Sequence, residues 1–413
     1  MKILLLTLGS QGDVQPFVAL GVGLQAAGAQ VTLATGRSFE PLVRRYGLQF
    51  APLRADFLQL AQSAEGKAAL AGKNPVAMLQ KVLPELRQSL QDAWQAAQGA
   101  ECIVYHPKAL AGYHIAEKLG IPAFLSLPLP LYTPTGAFAV PVLPGAPQLG
   151  GLLNRLSYAL VLAASTAPYR SMLARWRQEE LGLPARWDER RLGGRPVPRL
   201  YAYSRHVVPV PADWDASSQV TGYWFLPPAV DWQPDPGLVD FLAAGPPPVY
   251  VGFGSMTVAE AARLTGVVVE AVRQAGVRAV LASGWGGLAP GDLPDGIWPI
   301  PSAPHEWLFP RLAAVVHHGG AGTTAAGLRA GKPSVVCPLM GDQPFWGRRV
   351  ADLGIGPRPL PLKQLTAPAL AAALRQVLAD TDMQRRAAAL GEQIRAEDGV
   401  ACAVQAILPH TGR

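Results

Sequence analysis

The chain has 413 residues, 49% hydrophobic and only 16% charged, which is enough apolar material for two or three domain cores and argues against disorder. A net charge of +7 fits a mildly basic globular protein or one drawn to an acidic membrane surface, and no polybasic run points to nucleic acid. Cys102, Cys337 and Cys402 match neither a disulfide framework nor a metal-ligand spacing, as expected in a reducing cytoplasm. The opening apolar run, cut by Gly9, is too short for the core of a signal peptide, and no uninterrupted apolar run approaches membrane-spanning length.

Lys2–Leu8 therefore predicts a buried strand, followed by a loop, Gly9–Asp13, and a helix opened by Pro16 and stopped at Gly28. Gln30–Ala34 is the next strand, so the chain begins with a βαβ unit and a parallel sheet is expected. Loops beyond the carboxyl ends of such strands are where open α/β sheets bind ligands. This one lacks the G-x-G-x-x-G of dinucleotide sites. Asp13 reads either as a helix N-cap or as a carboxylate at a crevice mouth that takes a proton from an incoming hydroxyl. Asp56 to Ala97 is expected to be mostly helical, with a break at Gly72–Pro75.

Glu101–His106 predicts a strand, AGYHIAEKLGIP a helix stopped by Gly120 and Pro122, and Phe124–Leu127 a return to the sheet. His106 then ends its strand on the same edge as Asp13, as a locally bonded histidine or as a partner of that carboxylate. Pro128–Gly151 is apolar and proline-rich, and a nearly uncharged helix, Leu152–Ala164, follows it. Together they read either as the wall of an apolar pocket or as a loop packed on the core. Trp176, Trp187 and Trp214 read as core aromatics.

Leu226 to Pro236 reads as a linker, after which the pattern restarts. The strand PPVYVGFGS leads to a loop, Gly252–Thr257, that parallels Gly9–Asp13 and carries Ser255. Ala259–Ala275 predicts a helix, and Arg278–Leu281 a strand leading to Trp285, which either lies over a base or packs. Ile297–Ile300 is another strand, with Ser302, Ala303 and His305 beyond it.

The most informative stretch is Val315 to Trp346, VVHHGGAGTTAAGLRAGKPSVVCPLMGDQPFW. Two valines close a strand, and His317 and His318 follow it. Gly319, Gly320 and Gly322 then admit close backbone approach, and a small Ala-rich helix aims free N–H groups at the same point. Ser334–Pro338 reads as a second buried strand, with Asp342 and Gln343 just past its end. The pattern favours an anionic ligand. Thr323 and Thr324 offer hydroxyls and a histidine an imidazole N–H, while a carboxylate beside a carboxamide suits vicinal sugar hydroxyls. Helices from Pro368 end near Ala406.

HHGGAGTT and RAGKPSVVCPLMGDQPFWG resemble the donor-sugar signature of the inverting nucleotide-sugar glycosyltransferases with two Rossmann-like domains, the GT-B type. The resemblance is strongest to the sterol and lipid glucosyltransferases and the related macrolide and glycopeptide enzymes. GSQGDVQPFVALG, PRLYAYSRHVVPVPADW and VTGYWF extend it over nearly the whole chain. It implies an α/β fold whose two parallel sheets face a central cleft: an acceptor-binding domain (1–225), a linker (226–240), a nucleotide-sugar-binding domain (241–395) and a last helix (396–413) returning to the first domain.

The implied reaction moves a hexose, above all glucose from UDP-glucose, with inversion onto a hydroxyl of a sterol or other lipid-like aglycone. The alternative is a TDP-sugar-dependent transfer to a macrolide, carotenoid or other natural product. By the resemblance Asp13 is the base, where plant relatives carry His. His106 stands where the group more often has Asn. Plant relatives pair their His with an Asp near this position, so Asp13 and His106 read as that pair exchanged, the carboxylate raising the imidazole's pKa. Gly12, Ser255, His318, Gly320, Gly322, Thr323 and Thr324 are expected around the diphosphate. Trp285, Ser302, Ala303 and His305 border the nucleoside, and Asp342 and Gln343 the hexose. Plant relatives have Trp and Gln where Ser302 and His305 stand and a ribose-binding Glu at Ala326, so the nucleoside is held differently here. The helix N-terminus and these donors supply the charge stabilisation a metal provides elsewhere, and no Asp-x-Asp metal motif is recognised, so no metal is expected. A cytoplasmic monomer with peripheral membrane contact completes the expectation.

Three other classes share parts of this pattern. An NAD-dependent oxidoreductase would need the missing G-x-G-x-x-G loop. A sugar-nucleotide epimerase would share the two-domain fold but make no glycoside. A non-catalytic lipid-binding relative would lose Asp13 or the His318 motif, and both are present.

Overall fold

Lys2–Leu6 (β1) is buried from its second residue onward and pairs in parallel with a strand on either side, as an apolar run flanked by helices does. The computed structural model describes residues 1–54, 75–143, 149–254, 258–282 and 293–410, so Ser255, Trp285 and residues 56–74 of the expected helical stretch lie outside the described residues. In chain order the first half continues with Gln11–Ala26 (α1), Gln30–Gly36 (β2), Glu40–Arg45 (α2), Gln49–Leu53 (β3), Pro75–Ala96 (α3), Cys102–Tyr105 (β4), Gly112–Leu119 (α4), Ala123–Leu127 (β5) and Gly151–Glu179 (α5). A short antiparallel pair, Arg191–Leu192 (β6) and Arg195–Pro196 (β7), precedes Arg199–Tyr201 (β8) and Ser218–Val220 (β9). The second half holds Pro236–Ala243 (α6), Val249–Gly252 (β10), Val258–Ala275 (α7), Ala279–Ala282 (β11), Ile297–Ile300 (β12), His305–Leu308 (α8), Ala314–His317 (β13), Ala321–Arg329 (α9), Ser334–Val336 (β14), Gln343–Asp352 (α10), Ala367–Ala379 (α11), Thr381–Ala396 (α12) and Gly399–Ile407 (α13).

Two parallel sheets result, ordered β3-β2-β1-β4-β5-β8-β9 and β12-β11-β10-β13-β14. Alternate residues of each central strand bury on opposite faces. Ile3, Leu5, Cys102 and Val104 pack with Phe17 and Leu20 of α1, whereas Leu4, Leu6, Ile103 and Tyr105 pack with Leu86 and Leu90 of α3. The strand order reverses between β1 and β4 in one sheet and between β10 and β13 in the other. At such a reversal the adjacent loops splay apart and leave a crevice.

The halves share a core as well as facing each other. The apolar cluster around Leu4 and Tyr105 continues through Tyr223 into Phe345 and Trp346. Arg349 donates from Nε and Nη2 to the Val207 carbonyl at 3.0 and 2.7 Å. The last helix returns to the first half, where Ala403, Val404 and Ile407 of α13 join the core beneath α1. Where the chain re-enters, it meets its own outgoing segment: a Cβ on Gly399 would lie 2.4 Å from the Tyr223 carbonyl oxygen.

Two elements differ from expectation. α1 begins at Gln11, five residues before Pro16, because Ser10 serves as its N-cap. Pro16 inside the helix has no N–H, so the Gly12 carbonyl has no intrahelical donor. α5 runs to Glu179 and passes through Pro168, well beyond Ala164. Leu173, Trp176 and Arg177 bury its second half, and that packing outweighs the proline.

Candidate active site

Both reversal crevices open onto one place. A Cβ built on Gly322, at the start of α9, would lie 4.0 Å from the Gly12 Cα at the start of α1. Two helix N-termini, one from each half, therefore converge.

Asp13 is the third residue of α1, not its N-cap. Its Oδ2 accepts from the Ser10 N–H at 2.8 Å and the Ser10 hydroxyl at 3.0 Å, the return half of a capping box. Thr7 donates its hydroxyl to the Asp13 carbonyl at 2.9 Å. The carboxylate fits only because residue 9 is glycine. A Cβ there would sit 2.2 Å from Oδ2, and φ is +138°. Oδ1 meets Lys108 Nζ at 2.7 Å and His106 Nε2 at 3.7 Å. Burial pushes the carboxyl up, but Lys108, His106 and the Ser10 bonds outweigh it and hold the group below its ordinary value. Asp13 is thus both a structural capping residue and an ionised carboxylate at the crevice.

Lys108, half-exposed, did not stand out in the sequence; a cation two residues beyond the strand-end His106 was the available signal. His106 is buried at the end of β4, edge-on to Phe17. Its Nδ1 accepts from the Lys108 N–H at 3.2 Å, which leaves the proton on Nε2, facing Asp13. The expected rise in its pKa does not occur. Burial lowers it to about 4, against the opposing pull of Asp13 and with help from Lys108.

On the other side, His317 is buried and its Nδ1 accepts from the Gly319 N–H at 3.0 Å. His318 stands over the β10 loop, its Cε1 3.4 Å from where a Gly254 Cβ would be. Its Nδ1 is buried without a hydrogen-bond partner among the described residues, and burial lowers its pKa to about 4. Gly320 caps α9 and Gly322 is exposed in its first turn. Thr323 is half-buried beside it, but Thr324 is buried and its hydroxyl donates to the Gly320 carbonyl at 2.9 Å. One of the two expected hydroxyl donors is therefore committed to its own helix.

Asp342 caps α10, and its Oδ2 accepts from Trp346 Nε1 at 3.0 Å. Burial raises its pKa, and it feels both Lys108 and Asp13 across the cleft. Gln343 Oε1 accepts from the N–H groups of Leu339 and Met340 at 2.8 and 3.1 Å, which leaves its amide as the donor end. Ser302 is exposed and Ala303 half-buried beyond β12; His305 stacks on Phe309 at 4.3 Å and sits edge-on to Tyr250. The expected site residues among those described thus come from strand ends, loops and helix N-termini at one edge of each sheet.

The outer segments differ from the pocket-wall reading. Thr135, Ala139 and Val140 of the proline-rich loop are buried, so it packs on the core. Asp213 ties it to α5, accepting from Thr135 at 2.7 Å, from the Gly136 N–H at 2.8 Å and from Arg155 at 2.7 Å. Leu152, Leu153, Leu156 and Leu160 of α5 face outward instead of lining a pocket. Contrary to the expectation of no Asp-x-Asp motif, the chain has two such pairs, 213–215 and 380–382, and their carboxylates accept local hydrogen bonds.

Comparison with known proteins agrees with this geometry. The Glycosyltransferase family 28 N-terminal domain matches residues 3–135, and the Erythromycin biosynthesis protein CIII-like C-terminal domain matches residues 285–407. A sterol 3-beta-glucosyltransferase of Emericella nidulans is 40% identical over 98% of this chain, and one of Neurospora crassa 38% identical over the same share. The chain spans only 30% and 27% of those relatives' lengths. Among solved structures, the glycotransferase of kitacinnamycin superposes with a TM-score of 0.75 at 22% identity, covering 99% of each chain. The glycosyltransferase VinC in complex with dTDP gives 0.67 at 20% identity, covering 100% of this chain and 99% of its own.

Proposed function

As a member of the nucleotide-sugar glycosyltransferases with two Rossmann-like domains, this chain, we propose, transfers glucose from UDP-glucose, with inversion, to a hydroxyl of a sterol or similarly bulky apolar aglycone at a cytoplasmic membrane face. The observation that carries the reading is the Asp13 carboxylate, held ionised at the β1–β4 crevice while His318, whose Nδ1 has no partner among the described residues, and the α9 N-terminus stand at the β10–β13 crevice opposite. The sterol glucosyltransferase relatives support the acceptor class.

The step is a single displacement. The acceptor O–H proton goes to Asp13, its oxygen bonds to the anomeric carbon on the face opposite the diphosphate, and the C1–O bond breaks with its electron pair leaving on UDP. His318, Thr323 and the N–H groups of α9 meet the charge that develops on the diphosphate. Ser255 and Gly12 complete that shell, Asp342 and Gln343 hold the hexose hydroxyls, and Trp285, Ser302, Ala303 and His305 border the nucleoside. Neutral His106, with Nε2–H toward Asp13, orients the carboxylate.

A TDP-sugar reading is favoured by the macrolide-type C-terminal match. One experiment separates them. The chain is incubated with UDP-glucose or TDP-glucose and a panel of sterols, carotenoids and macrolides, and products are read by mass spectrometry and anomeric NMR. A β-glucoside of a sterol with free UDP is expected. An α-glycoside would overturn inversion, and no glycoside from any pair would overturn the reading.

A further inference from the structure

We infer that the outer face of α5 docks this protein onto an anionic lipid bilayer. The helix is turned inside out relative to an ordinary surface helix. Its polar residues Asn154 and Ser157 are buried, and they bond the loop before it: Asn154 Nδ2 donates to the Gly136 carbonyl at 2.8 Å, and Ser157 Oγ accepts from the Val140 N–H at 2.9 Å. Its first four leucines face solvent. Leu152, Leu153, Leu156 and Leu160 are 74, 55, 53 and 72% exposed. They recur at the spacing that puts them on one side of a helix, and exposed Ala159 and Ala163 continue the stripe. The one charge among them, Arg155, is drawn aside by Asp213 at 2.7 Å. A contiguous apolar face of this kind marks an interaction surface.

Charge decides what covers it. No Asp or Glu occurs from Leu119 to Gln178, in a chain of net charge +7. Arg170 and Arg175 are exposed further along the helix, Arg170 with its guanidinium carbon 5.7 Å from the centre of the Trp187 ring. A second copy would bring like cationic flanks together. An anionic headgroup layer attracts them, and the leucines reach the acyl boundary beneath it. No described helix is long and apolar enough to cross a membrane, so α5 lies along the surface. The usefulness of such docking rests on the apolar-acceptor reading, since a lipid-like acceptor resides in the bilayer.

The test is flotation of the full chain with vesicles of phosphatidylglycerol and phosphatidylcholine, against phosphatidylcholine alone, at low and high salt, with sedimentation for oligomeric state. The chain should float with the mixed vesicles about tenfold better than with the neutral ones, and less at high salt. Leu156→Glu/Leu160→Glu should lose about tenfold of that binding with an unchanged circular dichroism spectrum, and Arg170→Glu/Arg175→Glu should lose binding to mixed vesicles only. No flotation of the parent chain at low salt, or equal flotation of the leucine variant, would overturn the inference. So would a dimer that the leucine variant dissociates, which gives the face to a second copy. The readout uses no sugar nucleotide. A chain that floats but makes no glycoside removes the glucosyltransferase reading alone, and one that glucosylates a detergent-solubilised sterol but never floats removes the docking alone.

Discussion

Lys108 Nζ lies 2.7 Å from Asp13 Oδ1, so the proposed base carries a fixed counter-charge from the loop after β4. After burial, which acts the other way, Lys108 is the largest influence on that carboxyl. Lys108→Met should therefore raise the pKa of Asp13 and move the acid limb of the transfer rate toward higher pH. A pH–rate profile of the variant checks this, and an acid limb that stays in place would separate Lys108 from the base.

Asp13→Asn keeps an oxygen to accept from the Ser10 N–H, so the helix start should survive. UDP affinity should stay nearly constant by calorimetry, while transfer falls by about two to four orders of magnitude, the usual share of general-base catalysis. Near-normal turnover would remove Asp13 from the mechanism.

The two threonines of α9 should behave differently. Thr324→Val removes a hydroxyl already bonded to the Gly320 carbonyl and should leave UDP affinity within about twofold, whereas Thr323→Val should weaken it by the worth of one hydrogen bond, about 1 kcal/mol. Equal losses in titration calorimetry would contradict this division.

Asp342→Asn preserves an acceptor for Trp346 Nε1 and so tests ligand contact alone. It should weaken UDP-glucose more than UDP, while His318→Ala weakens both alike. Equal losses for both ligands in Asp342→Asn would place its carboxylate away from the hexose.

Five of the seven histidines are held neutral by burial: His114 and His317 near pKa 3, and His106, His305 and His318 near 4. When unfolded they return to about 6.5. Between those values the unfolded chain binds more protons, so stability rises with pH: it is complete above about pH 6.5 and is lost progressively as pH falls toward 4. Each pKa unit is worth about 1.4 kcal/mol per group, less for the half-buried His305 and His318. Denaturant midpoints at pH 7.5, 5.5 and 4.5 should fall in that order. For the same reason His106→Asn should leave the rate profile near pH 6–7 without a lost limb, in contrast to what an ordinary histidine there would give.

The parallel sheets were legible because strands buried on both faces must be apolar throughout, as Ile3–Leu6 and Val249–Val251 are. Asp13, His106 and the His318 loop were legible because strand-end polar residues in such sheets collect at one edge. Lys108 was hidden because its long side chain reaches back to Asp13 from an exposed position that looks like ordinary solvated surface. Thr324 could not be separated from Thr323 without knowing which way α9 turns its sides. The outward leucines of α5 read as part of a pocket wall because the sequence shows a nearly uncharged helix but not which face is in, and only the bonds of Asn154 and Ser157 fix that.

Gly222 and Gly399 have a mechanical meaning as well. The chain leaves the first half just after one and comes back at the other, and the two segments touch. The shared core around Tyr223, Phe345 and Trp346 and the Arg349–Val207 bonds join the halves beside this crossing, so a change of angle between them would pivot there. The pivot has no clearance, since any side chain at 399 would strike the Tyr223 carbonyl. Gly399→Ala would wedge the joint, and its signature would be an altered angle between the halves in solution scattering while both sheets stay intact.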